Sequence, residues 1–252
     1  LIIAGSKNMG GAAILSASAA YRSGTGLVKV LTHEINKTAL LCRMPECLIS
    51  TYQDNMPLAA ELKADFEWAK SIAVGPGLSM NVAAEITRCV LERDDKVRIL
   101  DADALNIIAG EHIDYKGSRE GQIIITPHIM EMSRLTGKTV ADIKEHMIES
   151  AKEYAIQHSC ICILKDARTV VTDGQKVYIN CTGNDGMSTG GCGDVLTGLI
   201  AGMTAMGLDA FEAACLSVYV HGKAGDYAAS GKGRAGMTAA DVSEAIAYVL
   251  KR

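Results

Sequence analysis

Short apolar runs without polar interruption recur along this chain and alternate with segments in which apolar residues have helical spacing. A strand that is apolar at consecutive positions, rather than at every second one, is typical of a sheet covered on both faces. Such strands are predicted at residues 1–4, 27–31, 48–51, 71–74, 97–100, 123–126 and 160–164. Helices are predicted at residues 10–23, 58–70, 82–92, 140–157, 195–206, 210–229 and 239–250. The alternation predicts a three-layer α/β/α fold around a mostly parallel sheet.

A β-hairpin is predicted in the C-terminal half, where Asp173-Gly174 separates strand-like segments at 169–172 and 176–180. This dipeptide favours tight turns between antiparallel strands. No linker, repeat or low-complexity tract divides the chain, so a single domain over residues 1–252 is predicted. Leu1 opens the sequence inside a strand-like run and without a methionine, and we therefore expect further residues upstream.

The glycine-rich stretch 183–193 opens directly into the predicted helix at 195–206. Glycines let the backbone adopt positive φ and come close to a ligand. The unpaired N–H groups and the positive dipole end of a helix N-terminus attract anions such as phosphate. An anion hole is therefore predicted at Gly190, Gly191, Cys192 and Gly193.

Asp194 stands beside this predicted anion hole, where a negative charge is unfavourable unless it handles a proton or a metal. One interpretation is purely local, since Asp is favoured at helix caps and in first helical turns. The other is a general base that removes a proton from a hydroxyl while the loop holds a phosphoryl group. The glycines directly before Asp194 favour the general base.

Polar and turn-forming residues come directly after five of the predicted strands: Gly5-Ser6, Gly75-Pro76-Gly77, Asp101 with Asp103, Pro127-His128, and Lys165. Each of these turns also has a local explanation, because Gly, Pro and Asp are common turn residues. The carboxyl ends of parallel strands nevertheless meet at one edge of an open sheet, where ligands bind. The five turns together therefore predict a binding site at that edge.

Charge and cysteine content exclude several classes of function. A net charge of −4 gives no general attraction to nucleic acid or to an anionic membrane surface. No apolar run reaches membrane-spanning length, and no signal peptide is recognised at the start. The 8 cysteines have no metal-binding or disulfide-like spacing, so we expect free thiols and a cytoplasmic location.

The glycine loop and Asp194 resemble the GxGD signature of the ribokinase-like superfamily, and specifically that of the ADP/ATP-dependent NAD(P)H-hydrate dehydratases. The resemblance extends over nearly the whole chain. Its motifs follow in order: 3–6 with 11–13, 22–28, 44–46, 75–78, 101–106, 126–128 with Glu131 and Arg134, 164–171, 183–194, and 221–226. This sequence departs from the family pattern at Asp166, at Ile129-Met130, and at Cys192, where Thr or Ser is usual.

The resemblance implies that a hydrated nicotinamide, (6S)-NADHX or NADPHX, is phosphorylated at its C6 hydroxyl and then loses phosphate to give NADH or NADPH. Asp194 would be the catalytic base, and the 190–193 amides would stabilise the transferring group. The implied hydrate-binding residues are Ala12, Ala13, Gly77, His128 and Asp194; Asp101 joins them as a carboxylate that could hold a substrate hydroxyl. The implied nucleotide-binding residues are Lys165, Asp166, Ala167, Arg168, Thr169 and Gly193.

The resemblance also implies a set of cofactors and partners. The phosphoryl donor would be ADP or ATP, and Mg²⁺ would assist it. Two interpretations of Asn184 stay open from the residues alone: it supports the backbone of the glycine loop, or it orders the magnesium ion through water. A homo-oligomer is expected, specifically a tetramer. Neither nucleic acid nor membrane is expected as a partner.

Two other functions remain open at this point. A small-molecule kinase of the same superfamily, acting on a vitamin precursor or a sugar, would leave the phosphate on its product. A non-catalytic nucleotide sensor or a redox Rossmann protein would belong to another class. The redox protein is disfavoured because the first predicted strand is not followed by G-x-G-x-x-G, and no G-x-x-x-x-G-K-[ST] motif occurs.

Overall fold

One sheet runs through the protein, for which the computed structural model describes residues 1–54, 59–118 and 122–251. The strand order across this sheet is β3-β2-β1-β4-β5-β6-β7-β8-β9. In chain order the strands are β1 (Ile2–Ile3), β2 (Lys29–His33), β3 (Leu48–Tyr52), β4 (Ser71–Val74), β5 (Val97–Leu100), β6 (Ile123–Ile125), β7 (Ile161–Leu164), β8 (Val170–Thr172) and β9 (Val177–Ile179).

The neighbours from β3 to β7 all pair in parallel, whereas β7, β8 and β9 pair antiparallel. The mostly parallel sheet and the hairpin are therefore confirmed. The hairpin turns where predicted: the Asp173 carboxylate accepts hydrogen bonds from the Gln175 and Lys176 amides, and Gly174 has a φ of 94°.

Helices cover both faces of the sheet. They are α1 (Gly10–Arg22), α2 (Lys37–Arg43), α3 (Ala59–Trp68), α4 (Met80–Leu91), α5 (Ala102–Gly110), α6 (Ile129–Thr136), α7 (Val140–Glu145), α8 (Met147–His158), α9 (Cys192–Ala205), α10 (Ala210–Lys232) and α11 (Ala239–Val249). The first layer contains α1, α9, α10 and α11, and the second contains α3 to α8. Within the described ranges, none of these helices is long and apolar enough to cross a bilayer.

The prediction of one helix over residues 140–157 was wrong, because α7 and α8 are separated at His146, which has φ −126° and ψ 50°. The apolar positions Ile143, Ala151 and Tyr154 stay in one helical phase across the break and share one core. The apolar periodicity of the sequence therefore could not reveal the break at His146. Leu58, predicted as the first residue of the helix at 58–70, lies outside the described residues.

Three helices, α2, α5 and α6, were not predicted. Helices α5 and α6 begin immediately after Asp101 and His128, so these two residues are N-caps as well as turn residues. Both helices have fewer than ten residues. A segment this short contains too few turns for its apolar period to be distinguished from that of a strand or a loop.

Helices α1 and α9 approach so closely that a side chain would not fit at their crossing. A Cβ added to Gly198 of α9 would lie 1.9 Å from the Ser16 carbonyl oxygen of α1. The Ser16 hydroxyl in turn donates to the carbonyl oxygen of Asp194, at 2.9 Å. The crossing therefore fixes the start of α9, where the predicted base lies, against α1.

Gly198→Ala is expected to destabilise the fold by about 1–3 kcal/mol, as an overpacked core substitution does. The clash is with backbone atoms of Ser16, which cannot rotate away. Urea unfolding measures the change. Gly231→Ala is the matched control, since it lies in α10 with open space around it and should be neutral or stabilising by up to about 1 kcal/mol. Equal stability of the two variants would contradict close packing at the α1–α9 crossing.

Candidate active site

The five predicted turns lie at one edge of the sheet, because the strands that precede them, β1, β4, β5, β6 and β7, are all parallel. Adjacent turns are in direct contact: His128 and Lys165 form a parallel bridge, and the Lys165 amide donates to the Pro127 carbonyl at 2.8 Å. The Gly75 loop reaches α5 through Asp103, whose carboxylate accepts from the Ser79 amide at 2.9 Å. The structure therefore brings the five predicted turns together at the carboxyl edge of the sheet.

The glycine loop ends at Gly191, which is the N-cap of α9 and has a φ of 93°. Only glycine adopts this backbone readily, and an added Cβ would also lie 2.5 Å from the Leu15 side chain. Gly190 has open space around it, whereas Cys192 is buried. The first-turn amides of α9 have no acceptor within the helix. This geometry suits the anion hole that the sequence predicts.

Asp194 lies in the first turn of α9. Burial, helped by the negative charges of Asp101 and Asp103 and opposed by Lys165, raises the pKa of this carboxyl to about 7. A base with a pKa near neutral accepts a proton readily and can still be regenerated at pH 7. These surroundings suit the general base that the sequence predicts.

Lys165 and Asp101 form a buried ion pair between the ends of β7 and β5, with 2.9 Å from Nζ to Oδ1. Burial disfavours the Lys165 ammonium, but the Asp101 and Glu131 carboxylates outweigh it, so the lysine pKa is raised. Burial also disfavours the Asp101 carboxylate, but Lys165 and the hydroxyls of Thr126 and Thr197 keep its pKa lowered. Both groups are charged at neutral pH.

His128 caps α6 through its imidazole ring. Nδ1 accepts from the Met130 and Glu131 amides, at 3.0 and 3.2 Å, and the Glu131 carboxylate accepts from the His128 amide at 2.8 Å. Burial lowers the pKa of His128, and the nearby Lys165 charge lowers it further. The ring is therefore neutral, and since Nδ1 is an acceptor, its proton lies on Nε2. His128 thus presents a hydrogen-bond donor from a half-exposed side chain.

The small residues assigned to the hydrate side lie together around the start of α1. A Cβ added to Gly77 would be 2.9 Å from that of Ala12, and one added to Gly5 would be 3.0 Å from that of Ala13. Gly77 has a φ of 58°, which also favours glycine. These positions bring backbone close to backbone; Ala12 and Ala13 are buried, and Gly77 is half-buried.

The residues assigned to the nucleotide side fall into two groups. Lys165 lies beside the glycine loop, since a Cβ added to Gly193 would be 3.4 Å from its ammonium nitrogen. Asp166, Ala167 and Arg168 are exposed in the turn between β7 and β8. Thr169 closes that turn by donating to the Asp166 carbonyl at 3.2 Å. Lys165 therefore lies beside the start of α9, whereas residues 166–168 are exposed.

Asn184 uses its amide group within the protein. Its nitrogen donates to Asp226 at 3.1 Å, and its oxygen accepts from the Gly186 amide at 3.0 Å. Asp226 also accepts from the Gly183 amide, so the start of the glycine loop is tied to α10. Across residues 1–54, 59–118 and 122–251, no group of three His, Cys, Asp or Glu side chains could hold a metal ion. A water-mediated role of Asn184 toward Mg²⁺ stays a prediction.

Sequence reasoning did not assign roles to Glu131, Thr126 or Thr197. The spacing of His128 and Glu131, N-cap and third helical residue, is that of a capping box and could have identified their interaction. No local pattern marks the two threonines as partners of Asp101.

A mostly parallel sheet, a glycine loop that opens into a helix at its carboxyl edge, and a half-buried carboxylate in the first turn of that helix define a ribokinase-like α/β protein. The family model described as NAD(P)H-hydrate dehydratase matches residues 1–248. The chain belongs to the NAD(P)H-hydrate dehydratase family.

Individual relatives agree with this membership. The chain is 38% identical to the bifunctional NAD(P)H-hydrate repair enzyme Nnr of Moorella thermoacetica, over 100% of this chain and 49% of that protein. It thus spans about half the length of that curated relative. The ADP/ATP-dependent NAD(P)H-hydrate dehydratase of Bacillus subtilis, co-crystallised with ATP/Mg²⁺, is 31% identical, with a TM-score of 0.85 over 100% of this chain and 88% of that chain. A ribokinase-like protein of Enterococcus faecalis is 28% identical, with a TM-score of 0.89 over 99% of this chain and 86% of that chain.

Asp194→Asn is expected to make stability less dependent on pH. The native pKa of Asp194 is about 7, against about 4 in an unfolded chain. Between these values the native state binds more protons, so this carboxyl makes the protein less stable as the pH rises. The Tm of the variant should therefore decrease less than that of the wild type between pH 5 and pH 8. At pH 8 the variant should be the more stable of the two.

Asp185→Asn is the matched control, because its carboxylate lies in the same loop but is 78% exposed. Its Tm curve should run parallel to that of the wild type. A parallel curve for Asp194→Asn as well would contradict a desolvated carboxylate at the start of α9.

Proposed function

We propose that this protein dehydrates (6S)-NADHX or NADPHX to NADH or NADPH, with ADP or ATP as the phosphoryl donor. The observation that carries the proposal is the position of Asp194, a half-buried carboxyl with a pKa near 7, in the first turn of α9 directly after the glycine loop. A proton acceptor and an anion hole would then lie on either side of the reacting hydroxyl and phosphoryl group. Membership of the NAD(P)H-hydrate dehydratase family supports the choice of substrate.

Two steps complete the reaction. Asp194 removes the proton of the C6 hydroxyl while that oxygen forms a bond to the terminal phosphorus of the nucleotide, whose bond to the bridging oxygen breaks, so that ADP leaves from ATP or AMP leaves from ADP. The first-turn amides of α9 and the Lys165 ammonium stabilise the charge on the transferring group. The C6–O bond then breaks, phosphate leaves, and loss of a proton from C5 forms the C5=C6 double bond. The dihydronicotinamide is thereby restored.

His128 and the small residues orient the hydrate. The Nε2–H of His128 is a fixed donor and would bind an acceptor oxygen of the substrate. Ala12 and Ala13 are buried, so among these small residues the half-buried Gly77 would approach a flat ring, with Ala12 packed behind it. The Lys165 ammonium lies near Gly193, where the nucleotide phosphates would approach, and the 166–169 turn would bind the rest of the nucleotide. Hydrate and nucleotide would therefore meet at Asp194.

The residues of this site fit a magnesium ion that is held mainly by nucleotide phosphates and water, as is usual for Mg²⁺. Asn184 already binds Asp226 and Gly186, so it would reach the ion through water. When bound, the ion would neutralise charge on the phosphoryl oxygens.

The test is turnover of (6S)-NADHX and (6S)-NADPHX with Mg²⁺ and either ADP or ATP. Dihydronicotinamide absorbance and released phosphate should appear in equal amounts with at least one nucleotide. Asp194→Asn should lower kcat by at least about 10²-fold, the usual contribution of a general base. Asp185→Asn, which alters an exposed ion pair of the same loop, should retain wild-type turnover.

The alternatives give different results in this assay. No dehydration by folded protein that binds nucleotide would favour the small-molecule kinase. In that case a screen of hydroxyl substrates should give a stable phosphorylated product. Full activity of Asp194→Asn would refute the general base.

We also propose a homo-oligomer, specifically a tetramer, that uses the outer surface of α10 and β9. Leu216, Tyr219 and Tyr227 on α10 are 37%, 44% and 50% exposed, and Ile179 on the edge strand β9 is 45% exposed. Tyr227 stacks on Tyr248 of α11, with ring centroids 5.1 Å apart. Exposed apolar residues of this kind support burial against a second copy.

The eight free thiols support a cytoplasmic location.

Leu216→Glu is expected to shift the protein to a lower mass in light scattering coupled to size exclusion, because a charge would be buried in the proposed interface. Leu41→Glu is the control, since Leu41 is equally apolar and 45% exposed on α2. It should keep the wild-type mass. A monomeric wild type at tens of micromolar protein would contradict the proposal.

A further inference from the structure

We infer that Asp101 is a positioning residue and not a substrate ligand: it holds the Lys165 ammonium beside Gly193 and ties it to α9 through Thr197. The inference rests on the proposed function, since it takes Asp194 as the base. It replaces the expectation that Asp101 holds a substrate hydroxyl.

Both carboxylate oxygens of Asp101 are occupied by partners within the protein. Oδ1 accepts from Lys165 at 2.9 Å and from Thr126 at 2.7 Å. Oδ2 accepts from Thr197 of α9 at 2.7 Å. The residue is only 1% exposed. A substrate hydroxyl would have to displace one of three good hydrogen bonds in a site closed to solvent.

The backbone of Asp101 is closely packed as well. A Cβ added to Gly75 would lie 1.8 Å from the Asp101 carbonyl oxygen. A Cβ added to Gly193 would lie 4.0 Å from Asp101 Oδ2 and 3.4 Å from Lys165 Nζ. The Asp101 main chain is therefore held against Gly75, and its carboxylate lies between Lys165 and the first turn of α9. The ammonium that it holds is the group that faces the glycine loop.

Through these contacts Asp101 sets both the position and the electrostatics of the site. A lysine has many rotamers, and a fixed, charge-assisted hydrogen bond selects one of them. The negative charge of Asp101 also raises the pKa of Asp194, whereas the positive charge of Lys165 lowers it. Other titratable or charged groups face this cluster from the neighbouring elements: Asp103 of α5, His128, Glu131 and Arg134 of α6, Cys192 of α9 and His221 of α10.

The experiment compares Asp101→Asn, Lys165→Met and the double variant by the pH dependence of kcat/KM for hydrate dehydration. Activity requires the ionised Asp194, so it falls on the acid side of its pKa. Asp101→Asn removes a negative charge and should shift the acid limb to lower pH. Lys165→Met removes a positive charge and should shift it to higher pH. Each shift should be about 1 pH unit, as for charges at such distances. A purely structural role of Asp101 would not produce shifts of opposite sign.

Nucleotide affinity, measured by calorimetry with ADP or ATP and Mg²⁺, supplies a readout independent of turnover. Asp101→Asn should weaken binding roughly tenfold or more, as loss of one partner of a buried charge pair does. The double variant should bind no more weakly than Lys165→Met, because Asp101 acts through Lys165. Additive losses, or a loss confined to the KM of the hydrate, would overturn the inference and restore Asp101 as a substrate ligand.

A second pair of variants covers the case in which Asp101→Asn does not fold. Thr197→Val removes the hydroxyl that binds Asp101 while keeping the shape of the side chain, and Thr197→Ser keeps the hydroxyl. Thr197→Val should weaken nucleotide binding and Thr197→Ser should retain it. Equal binding by the two would overturn the inference. If the wild type binds nucleotide but does not dehydrate either hydrate, the proposed function fails, and the binding measurements still decide the role of Asp101.

Discussion

The buried ion pair of Asp101 and Lys165 is the interaction on which the carboxyl edge of the sheet depends. It joins the ends of β5 and β7, and through the threonine hydroxyls it also joins β6 and α9. A buried carboxylate or ammonium without a partner costs several kcal/mol, so neither group can be removed alone without a large loss. The same pair fixes a positive charge beside the glycine loop, where it can act on a phosphoryl group.

The close crossing of α1 and α9 supplies the second constraint. Because Gly198 admits no side chain and Ser16 binds the Asp194 carbonyl, the first turn of α9 has little freedom to move. A half-buried carboxylate in that turn is unfavourable for stability, and its raised pKa expresses this cost. A rigid helix start and a poorly solvated carboxylate are what proton removal near neutral pH requires. The packing thus maintains a locally unfavourable group, as the proposed role of Asp194 needs.

His128 shows how a structural role can specify a chemical one. Its Nδ1 is an acceptor because it caps α6, and the ring proton is therefore held on Nε2. Protonation of Nδ1 would remove that cap, which favours the neutral ring. Burial and the nearby Lys165 charge also favour the neutral ring, because both lower the pKa of His128. The side chain that faces the proposed hydrate pocket is thus a neutral donor of fixed orientation. Sequence alone names the histidine but not its tautomer.

The sequence by itself determined the parallel sheet, the hairpin and the position of the glycine loop next to Asp194, because each depends on residues close together in the chain. Periodicity also placed most helices, but it missed the short α5 and α6 and the break at His146, where local signals are weak. Only the tertiary structure decided that Asp101 binds Lys165, 64 residues away, and Thr197, 96 residues away. Hydrogen bonds and charges act through space, and no spacing rule links positions that meet only when the sheet is complete.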